Sequence, residues 1–239
     1  MKWVTDRTGR FAQRPHYLPE ELDSECERVI LAFLNKRYGK VEFPIQTDDL
    51  TVFIEEQANL DCYADLSGEG EGVEGVTEFV LGKRPLVKIA DALNASHLEN
   101  RLRTTLTHEY GHVHFHRFMF EGNQGVTGSL FGQVDAVQGN KCHRDTIVGA
   151  QERDWMEWQG GYACGAILMP VSALFDVVQR FRVDNNLLYS NLSLQSEPGQ
   201  KLITAVATGF QTSRDAARVR LLKKGILTDT GTQRTSELF

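Results

Sequence analysis

Two histidines and one glutamate lie close together in the sequence His108-Glu109-Tyr110-Gly111-His112. In a helix, residues four apart lie on the same face, about 6 Å apart along the axis. His108 and His112 can therefore present two imidazole nitrogens to a single tetrahedral metal ion. Glu109 lies about 100° around the helix from His108, where its carboxylate reaches a water molecule rather than the ion. The spacing predicts a zinc site with Glu109 as the general base.

A catalytic zinc ion needs three protein ligands and one open coordination position. His114 and His116 follow His112 too closely to supply a third ligand at the spacing that metzincins use. The third ligand is therefore expected from a separate element of the chain.

Glu157 is the predicted third ligand, in a segment from 154 to 170 whose apolar composition is typical of a helix. Several residues on the face of Glu157 would let this helix pack closely against the histidine helix: Gly160, Gly161, Cys164 and Leu168. Two alternatives remain open. Glu152 or Asp154 could be the carboxylate ligand instead, or Glu157 could only complete a capping box that begins at Asp154.

The elements around these motifs predict an α+β fold. Two helices are expected first, one from Pro19 to a stop at Gly39 and one after the capping residue Thr47. The β-prone runs 76–81 and 86–89 predict a hairpin. Helices dominate the rest of the chain, which is an α+β order rather than an alternating parallel sheet.

The helix that carries the histidines has a predicted start and a predicted buried face. Ser96-His97-Leu98-Glu99 matches a capping box, in which the first and last side chains satisfy backbone N–H groups reciprocally. Leu98, Leu102 and Leu106 then recur at intervals of four and form one apolar stripe. This pattern predicts an amphipathic helix that presents the motif from a packed scaffold.

Composition places the chain among ordinary globular proteins, with 239 residues, 41% hydrophobic and 24% charged. The net charge of −6 argues against a surface that binds nucleic acid throughout. No apolar run approaches the roughly 18 residues of a membrane span, and the first residues do not match a signal peptide. The four cysteines lack C-x-x-C spacing, so free thiols and a cytoplasmic location are predicted.

Both motif segments resemble the ImmA/IrrE family of zinc metallopeptidases. The run Arg101-Leu102-Arg103-Thr104-Thr105-Leu106-Thr107 before the histidine motif is similar to the family's metal helix. His116 lies where many members also carry histidine. Glu157, followed by Tyr162-Ala163 and then Leu168-Met169-Pro170, resembles the helix that supplies the family's third ligand.

The resemblance implies a zincin-like metallopeptidase domain with a small mixed sheet over residues 1–170, and a helical C-terminal subdomain over residues 171–239. It implies zinc held by His108, His112 and Glu157, with Glu109 taking a proton from water and passing it to the leaving amine. The implied substrate is a cognate helix-turn-helix repressor, whose cleavage relieves repression of a mobile element or a stress response.

The chain departs from the family pattern at two places. Gly160-Gly161 replace the usual Ala-Asn, which removes an amide that could support a metal ligand. Residues 117–153 form a long, glycine-rich segment, which suggests a lid or a substrate-facing insertion. Within it, Cys142-His143 could offer an extra ligand, although a lone Cys-His pair is more often incidental.

The group that would stabilise the oxyanion of a cleavage reaction is not identified by any motif. Five residues are candidates, each of which could equally be structural: Tyr110, His114, His116, His143 and Tyr162.

The C-terminal part predicts a helix-turn-helix, with a first helix over 202–210, a turn at 211–213 and a second helix over 214–224. The second helix carries Arg214, Arg218, Arg220, Lys223 and Lys224 against Asp215. Such a face is usually solvated, so we expect a helical subdomain that docks a repressor or another subunit rather than DNA. The alternatives to a peptidase are a non-proteolytic zinc-binding module that binds a repressor, and a transcription factor that uses this helix.

Overall fold

The computed structural model describes residues 1–121, 138–143, 154–187 and 192–229. These residues form an α+β fold, as the sequence predicts. The strands are β1 (Lys2–Thr5), β2 (Gln13–His16), β3 (Asn59–Ala64), β4 (Val73–Phe79), β5 (Leu86–Ala90), β6 (Gln138–His143), β7 (Leu192–Ser193) and β8 (Leu227–Thr228). The α-helices are α1 (Pro19–Tyr38), α2 (Thr47–Glu55), α3 (Glu99–Glu121), α4 (Trp155–Leu168), α5 (Val171–Asp184), α6 (Glu197–Phe210) and α7 (Arg214–Lys223).

None of the described helices is by itself both long enough and apolar enough to cross a membrane. Only α4 and α5 taken together, across a bend of 57°, meet those two criteria.

A mixed four-stranded sheet in the order β3-β5-β4-β6 packs against α3 through β4. Strands β4 and β5 form the predicted hairpin, with Val76 opposite Lys88 in antiparallel register. Strand β3 runs parallel to β5, and β6 pairs antiparallel with the other side of β4. Strand β4 begins at Val73, earlier than the predicted start, because Val73 and Val76 are both buried against Leu66 in a small apolar cluster.

The first helix begins and ends as predicted. The Glu21 carboxylate accepts a hydrogen bond from the backbone N–H of Leu18 at 2.9 Å, ahead of Pro19 in the first turn. Gly39 ends the helix in the left-handed region, with φ of 67°, and its N–H bonds the Asn35 carbonyl.

Two predicted helix caps are wrong. Thr47 is the first residue of α2 rather than its cap, since Gln46 occupies the cap position. Ser96 lies in a short 3₁₀ turn, Ser96–Leu98, and α3 begins only at Glu99. The Thr47 hydroxyl and the Glu99 carboxylate bond each other at 2.7 Å. Both side chains therefore tie α2 to α3 instead of satisfying their own helix starts.

Helices α3 and α4 pack closely through small residues. A Cβ added to Gly111, inside the histidine motif, would lie 3.0 Å from the Cβ of Ala163 and 3.1 Å from the Cα of Gly160. The predicted close approach is thus confirmed at Gly160. Gly161 instead lines a small cavity on the opposite side, beside Arg220 and Lys223 of α7.

One hydrophobic core spans both sides of residue 170. Leu106 and Tyr110 of α3 belong to the same buried cluster as Leu174 of α5, Phe210 of α6 and Leu221 of α7. Helix α4 lies between α3, α1 and α7. The C-terminal helices therefore share the packing that positions α3 and α4.

Candidate metal centre

Helices α3 and α4 bring three donor groups together. Nε2 of His108 lies 3.0 Å from Nε2 of His112. The Glu157 carboxylate spans both rings, with Oε2 3.2 Å from His108 Nε2 and Oε1 3.3 Å from His112 Nε2. Both histidines are fully buried and Glu157 is 8% exposed. This buried His-His-Glu group could hold a metal ion.

The surroundings fit a small cation. At Gly160 the backbone of α4 approaches so closely that a Cβ would lie 3.1 Å from Nε2 of both His108 and His112. Two imidazole nitrogens and one carboxylate form the ligand set of many catalytic zinc sites, and the same set also serves mononuclear Fe(II) sites. The donor chemistry is therefore that of a transition-metal centre.

Mutual attraction shifts the pKa values of two of these groups. Burial alone would raise the pKa of Glu157, but the neighbouring histidines outweigh it and hold that pKa well below its usual range. Burial alone would lower the pKa of His112, but the carboxylates of Glu157 and Glu109 raise it above its usual value. The carboxylate that attracts a proton to the His112 ring would equally attract a metal cation in place of that proton.

Glu109 is placed apart from the three donor atoms, against strand β4. Its Oε2 accepts a hydrogen bond of 2.5 Å from the Thr77 hydroxyl. Its Oε1 lies so close to the strand that a Cβ on Gly75 would be 2.5 Å away, and this oxygen makes no hydrogen bond within the described part of the chain. Burial raises the Glu109 pKa, an effect that His112 and His108 partly offset. One carboxylate oxygen is therefore fixed and the other is unpaired beside the histidines.

A hydrogen-bonded chain runs from the second histidine to the N-terminal hairpin. Nδ1 of His112 lies 3.0 Å from Nδ1 of His116, and Nε2 of His116 lies 2.9 Å from Oε1 of Gln159. The Gln159 amide nitrogen donates to the Pro15 carbonyl at 3.1 Å. A side-chain amide is thus present at Gln159, two residues before Gly161.

Sequence reasoning missed the role of Gln159 and of the two β4 residues Thr77 and Gly75. His116 carried a signal, since it lies one helical turn past His112 on the same face. No local pattern distinguishes Gln159, Thr77 or Gly75, because each meets its partner only in the folded chain.

The structure describes two of the three alternatives to Glu157 as the third ligand: Asp154 as the ligand, and Glu157 as part of a helix cap. Asp154 occupies the cap position of α4 without a capping hydrogen bond, and its carboxylate lies 4.0 Å from Arg10. The capping interpretation of Glu157 is therefore wrong, since its side chain faces the histidines instead. Glu152 lies outside the described residues, as do most of the 117–153 segment and the side chains of Cys142 and His143.

Four of the five oxyanion candidates are engaged elsewhere. The Tyr110 hydroxyl accepts a hydrogen bond from the Gln57 amide at 2.8 Å, and Nε2 of His114 lies 2.8 Å from Glu25. The Tyr162 hydroxyl donates to Asp23 at 2.9 Å. Both ring nitrogens of His116 are hydrogen-bonded, Nδ1 to His112 and Nε2 to Gln159. The side chain of the fifth, His143, lies outside the described residues.

The C-terminal helix-turn-helix forms as α6 and α7, but its basic side chains are occupied. Arg220 is 2% exposed and forms a 2.7 Å ion pair with Asp23, which also binds Lys224. Arg218 pairs with Asp215 of the same helix at 2.7 Å. This face is thus committed to internal contacts, which argues against a groove-reading helix.

Comparisons with known proteins add no family assignment. No protein-family model, no curated protein and no solved structure matches the chain. Function is therefore inferred from the side-chain geometry and from the sequence resemblance.

Proposed function

We propose that this chain is a zinc-dependent endopeptidase with a zincin-like catalytic domain. His108, His112 and Glu157 would hold the ion, and Glu109 would be the general base. The observation that carries the proposal is the convergence of three buried donor groups, whose ligand atoms lie within 4.8 Å of one another, together with a second buried carboxylate, Glu109, that is not among them. Ligands plus an adjacent free carboxylate are what metal-assisted hydrolysis requires.

The residues divide the chemistry as follows. A bound zinc ion supplies Lewis-acid polarisation of the peptide carbonyl. Glu109 accepts the proton of the attacking water and returns it to the leaving amine. The hydrogen bond from Thr77 fixes one oxygen of Glu109, so the unpaired Oε1 is the atom that handles the proton. Burial, which raises the Glu109 pKa, brings that carboxyl nearer to the pH at which proton transfer is most efficient.

The proposed substrate is a helix-turn-helix repressor in the cytoplasm, cleaved to relieve repression of a mobile element or a stress response. This part rests on the resemblance of the two motif segments to ImmA/IrrE peptidases. It is supported by the engagement of the α7 cations, which favours a protein partner over DNA.

Two variants test the metal and the base separately. Glu157→Ala should lose stoichiometric zinc, measured by elemental analysis of the purified chain, because one of three ligands is removed. Glu109→Gln should keep its zinc and lose cleavage of the repressor encoded nearest to this chain, because the amide cannot take a proton. Cleavage that persists at wild-type rate in Glu109→Gln would overturn the peptidase mechanism.

The second candidate is a non-proteolytic metal-binding module that binds a repressor. The burial of the ligands favours this alternative, since both histidines are fully buried. Under this alternative the repressor remains intact, and wild type and Glu109→Gln bind it equally. Repressor fragments that appear with wild type alone would exclude it.

A further inference from the structure

The positions of the protons in the hydrogen-bonded series His112–His116–Gln159–Pro15 follow from the Pro15 carbonyl, which is the acceptor at its end. A backbone carbonyl only accepts hydrogen bonds, so the amide nitrogen of Gln159 faces Pro15 and the amide oxygen faces His116. An amide oxygen also only accepts, so Nε2 of His116 carries a proton. All of these side chains are buried, and Gln159 is 1% exposed, so solvent does not compete for these positions.

We infer that His116 and Gln159 are positioning residues that hold His112 in the tautomer with its proton on Nδ1, so that its Nε2 lone pair can bind a metal ion. The two Nδ1 atoms, 3.0 Å apart, share one proton. With that proton on His116, a neutral His112 would carry its own proton on Nε2, the atom that must bind the ion. Only a proton on His112 leaves that atom available, and a ligand imidazole that donates through its other nitrogen is also a stronger base. The inference rests on the proposed metal centre.

The Pro15 end of this hydrogen-bonded series is fixed by packing of the N-terminal hairpin. The Pro15 carbonyl belongs to β2 of the N-terminal hairpin, which packs on the metal helices through edge-on aromatic contacts. Trp3 meets Phe118 with ring centroids 5.7 Å apart, and Phe11 meets both Phe120 at 5.4 Å and Trp155 at 6.3 Å. The hairpin thus anchors the orientation of Gln159, and through it that of His116.

The other histidine ligand has no comparable support. Nδ1 of His108 is buried and makes no hydrogen bond within the described residues. The orienting hydrogen bonds therefore act on His112. Removal of the hydrogen bonds through His116 and Gln159 should weaken metal binding by that ligand.

The test is the zinc affinity of the full chain, measured by competition with a chelator. His116→Leu should bind zinc about 10- to 100-fold more weakly, the usual cost of losing a hydrogen-bond partner of a metal ligand. Gln159→Leu removes the acceptor behind that partner and should also weaken zinc binding, by no more than His116→Leu does. His116→Asn keeps an accepting oxygen near the former Nδ1 position and should stay within about threefold of wild type. The matched control is Gln57→Leu, which removes an amide bonded to Tyr110 at 2.8 Å and should leave zinc affinity unchanged.

A second measurement reads the proton directly. Nitrogen-15 NMR of the zinc-free chain at alkaline pH should show His112 protonated at Nδ1 in wild type, and partly at Nε2 in Gln159→Leu. Unchanged zinc affinity in folded Leu variants, an Asn variant as weak as His116→Leu, or wild-type His112 protonated at Nε2 would each overturn the inference. If His116→Leu does not fold, the zinc affinity of Gln159→Leu and the NMR measurement still test whether these residues set the position of the His112 proton. A wild-type chain that binds no zinc would instead overturn the proposed function.

Discussion

At the level of single residues, the rotation of one helix separates a candidate metal ligand from the proposed general base. His108 and Glu109 are adjacent in the sequence, yet His108 faces Glu157 of α4 while Glu109 faces Thr77 of β4. The difference follows from the helical rotation of about 100° per residue. Two neighbouring side chains thereby contact two different structural layers, and the proposed roles of metal ligand and general base depend on this separation.

The closeness of Gly75 to Glu109 leads to a prediction for activity. In Gly75→Ala the new Cβ would lie 2.5 Å from Glu109 Oε1, so the carboxylate must move. A displacement of about 1 Å in a catalytic group typically costs about 100-fold in rate. We expect repressor cleavage to fall by about that factor, while zinc content stays stoichiometric because the three ligands are untouched.

The control for this prediction is Gly68→Ala, where a Cβ would have no heavy atom within 4 Å. Its cleavage rate should equal that of wild type. Normal cleavage by Gly75→Ala would show that the Glu109 position against β4 is not needed for function.

At the scale of the elements, Arg103 connects α3 to the end of α6. This side chain is fully buried, and it donates to the carbonyls of Gln211 at 2.9 Å, Phe210 at 3.2 Å and Ile45 at 2.6 Å. Two of these acceptors lie at the C-terminus of α6, where carbonyls lack helical partners. A buried cation thus satisfies the helix end and fixes the direction of α3 one turn before the metal ligands.

Removal of this connection should destabilise the fold. In Arg103→Leu the buried carbonyls of Ile45 and Phe210 lose this donor, and each unsatisfied buried group costs about 1–3 kcal/mol. We expect the free energy of unfolding to fall by at least about 2 kcal/mol, measured by urea denaturation. The control is Arg28→Leu. Among the described residues the exposed Arg28 side chain pairs only with Glu25 of its own helix, so this substitution should change stability by less than about 0.5 kcal/mol. Equal stability of the two variants would contradict this role of Arg103.

At the scale of the whole molecule, a buried ion cluster connects three helices. Asp23 of α1 pairs with Arg220 of α7 at 2.7 Å and with Lys224, which follows α7, at the same distance. It also accepts a hydrogen bond from Tyr162 of α4. The cluster holds the metal-ligand helix α4 between the N-terminal and C-terminal parts of the chain.

This cluster predicts a pH dependence of stability. Burial alone would raise the Asp23 pKa, but Arg220 and Lys224 outweigh it and hold that pKa below its usual value. The contribution of Asp23 is therefore fully present above its unfolded pKa of about 3.9 and is lost as the pH falls through the lower folded pKa. At pH 7, Asp23→Asn should cost about 3 kcal/mol, because it leaves buried cations unpaired.

The difference between wild type and Asp23→Asn should shrink below about pH 4, as the wild-type carboxyl becomes protonated. Urea denaturation at pH 7, 5 and 3 in the presence of a chelator measures this. Asp215→Asn is the control, since its exposed ion pair with Arg218 should contribute less than about 1 kcal/mol. A loss that stays constant down to pH 3 would contradict the assignment.

Much of the local structure could be predicted from the sequence. The proline start and glycine stop of α1, the β4–β5 hairpin and the stacking of His108 over His112 depend on residues a few positions apart. Such features follow from backbone sterics and helical geometry, which a short stretch of sequence already contains. The predicted caps at Thr47 and Ser96 are wrong because the Thr47 hydroxyl and the Glu99 carboxylate bond each other across two helices, and because Ser96 lies in a 3₁₀ turn before the helix start.

The residue pattern alone predicts the α+β class, the helix with both histidines, and a carboxylate ligand from a second segment, with Glu157 preferred over Glu152 and Asp154. The folded chain shows that Glu157 faces the histidines rather than its own helix start, and that Gln159, Thr77 and Pro15 make the surrounding contacts. Gln159 and Pro15 are 144 positions apart. Contacts of that kind leave no local pattern, because they arise only when burial excludes water and each polar atom must find a partner within the fold.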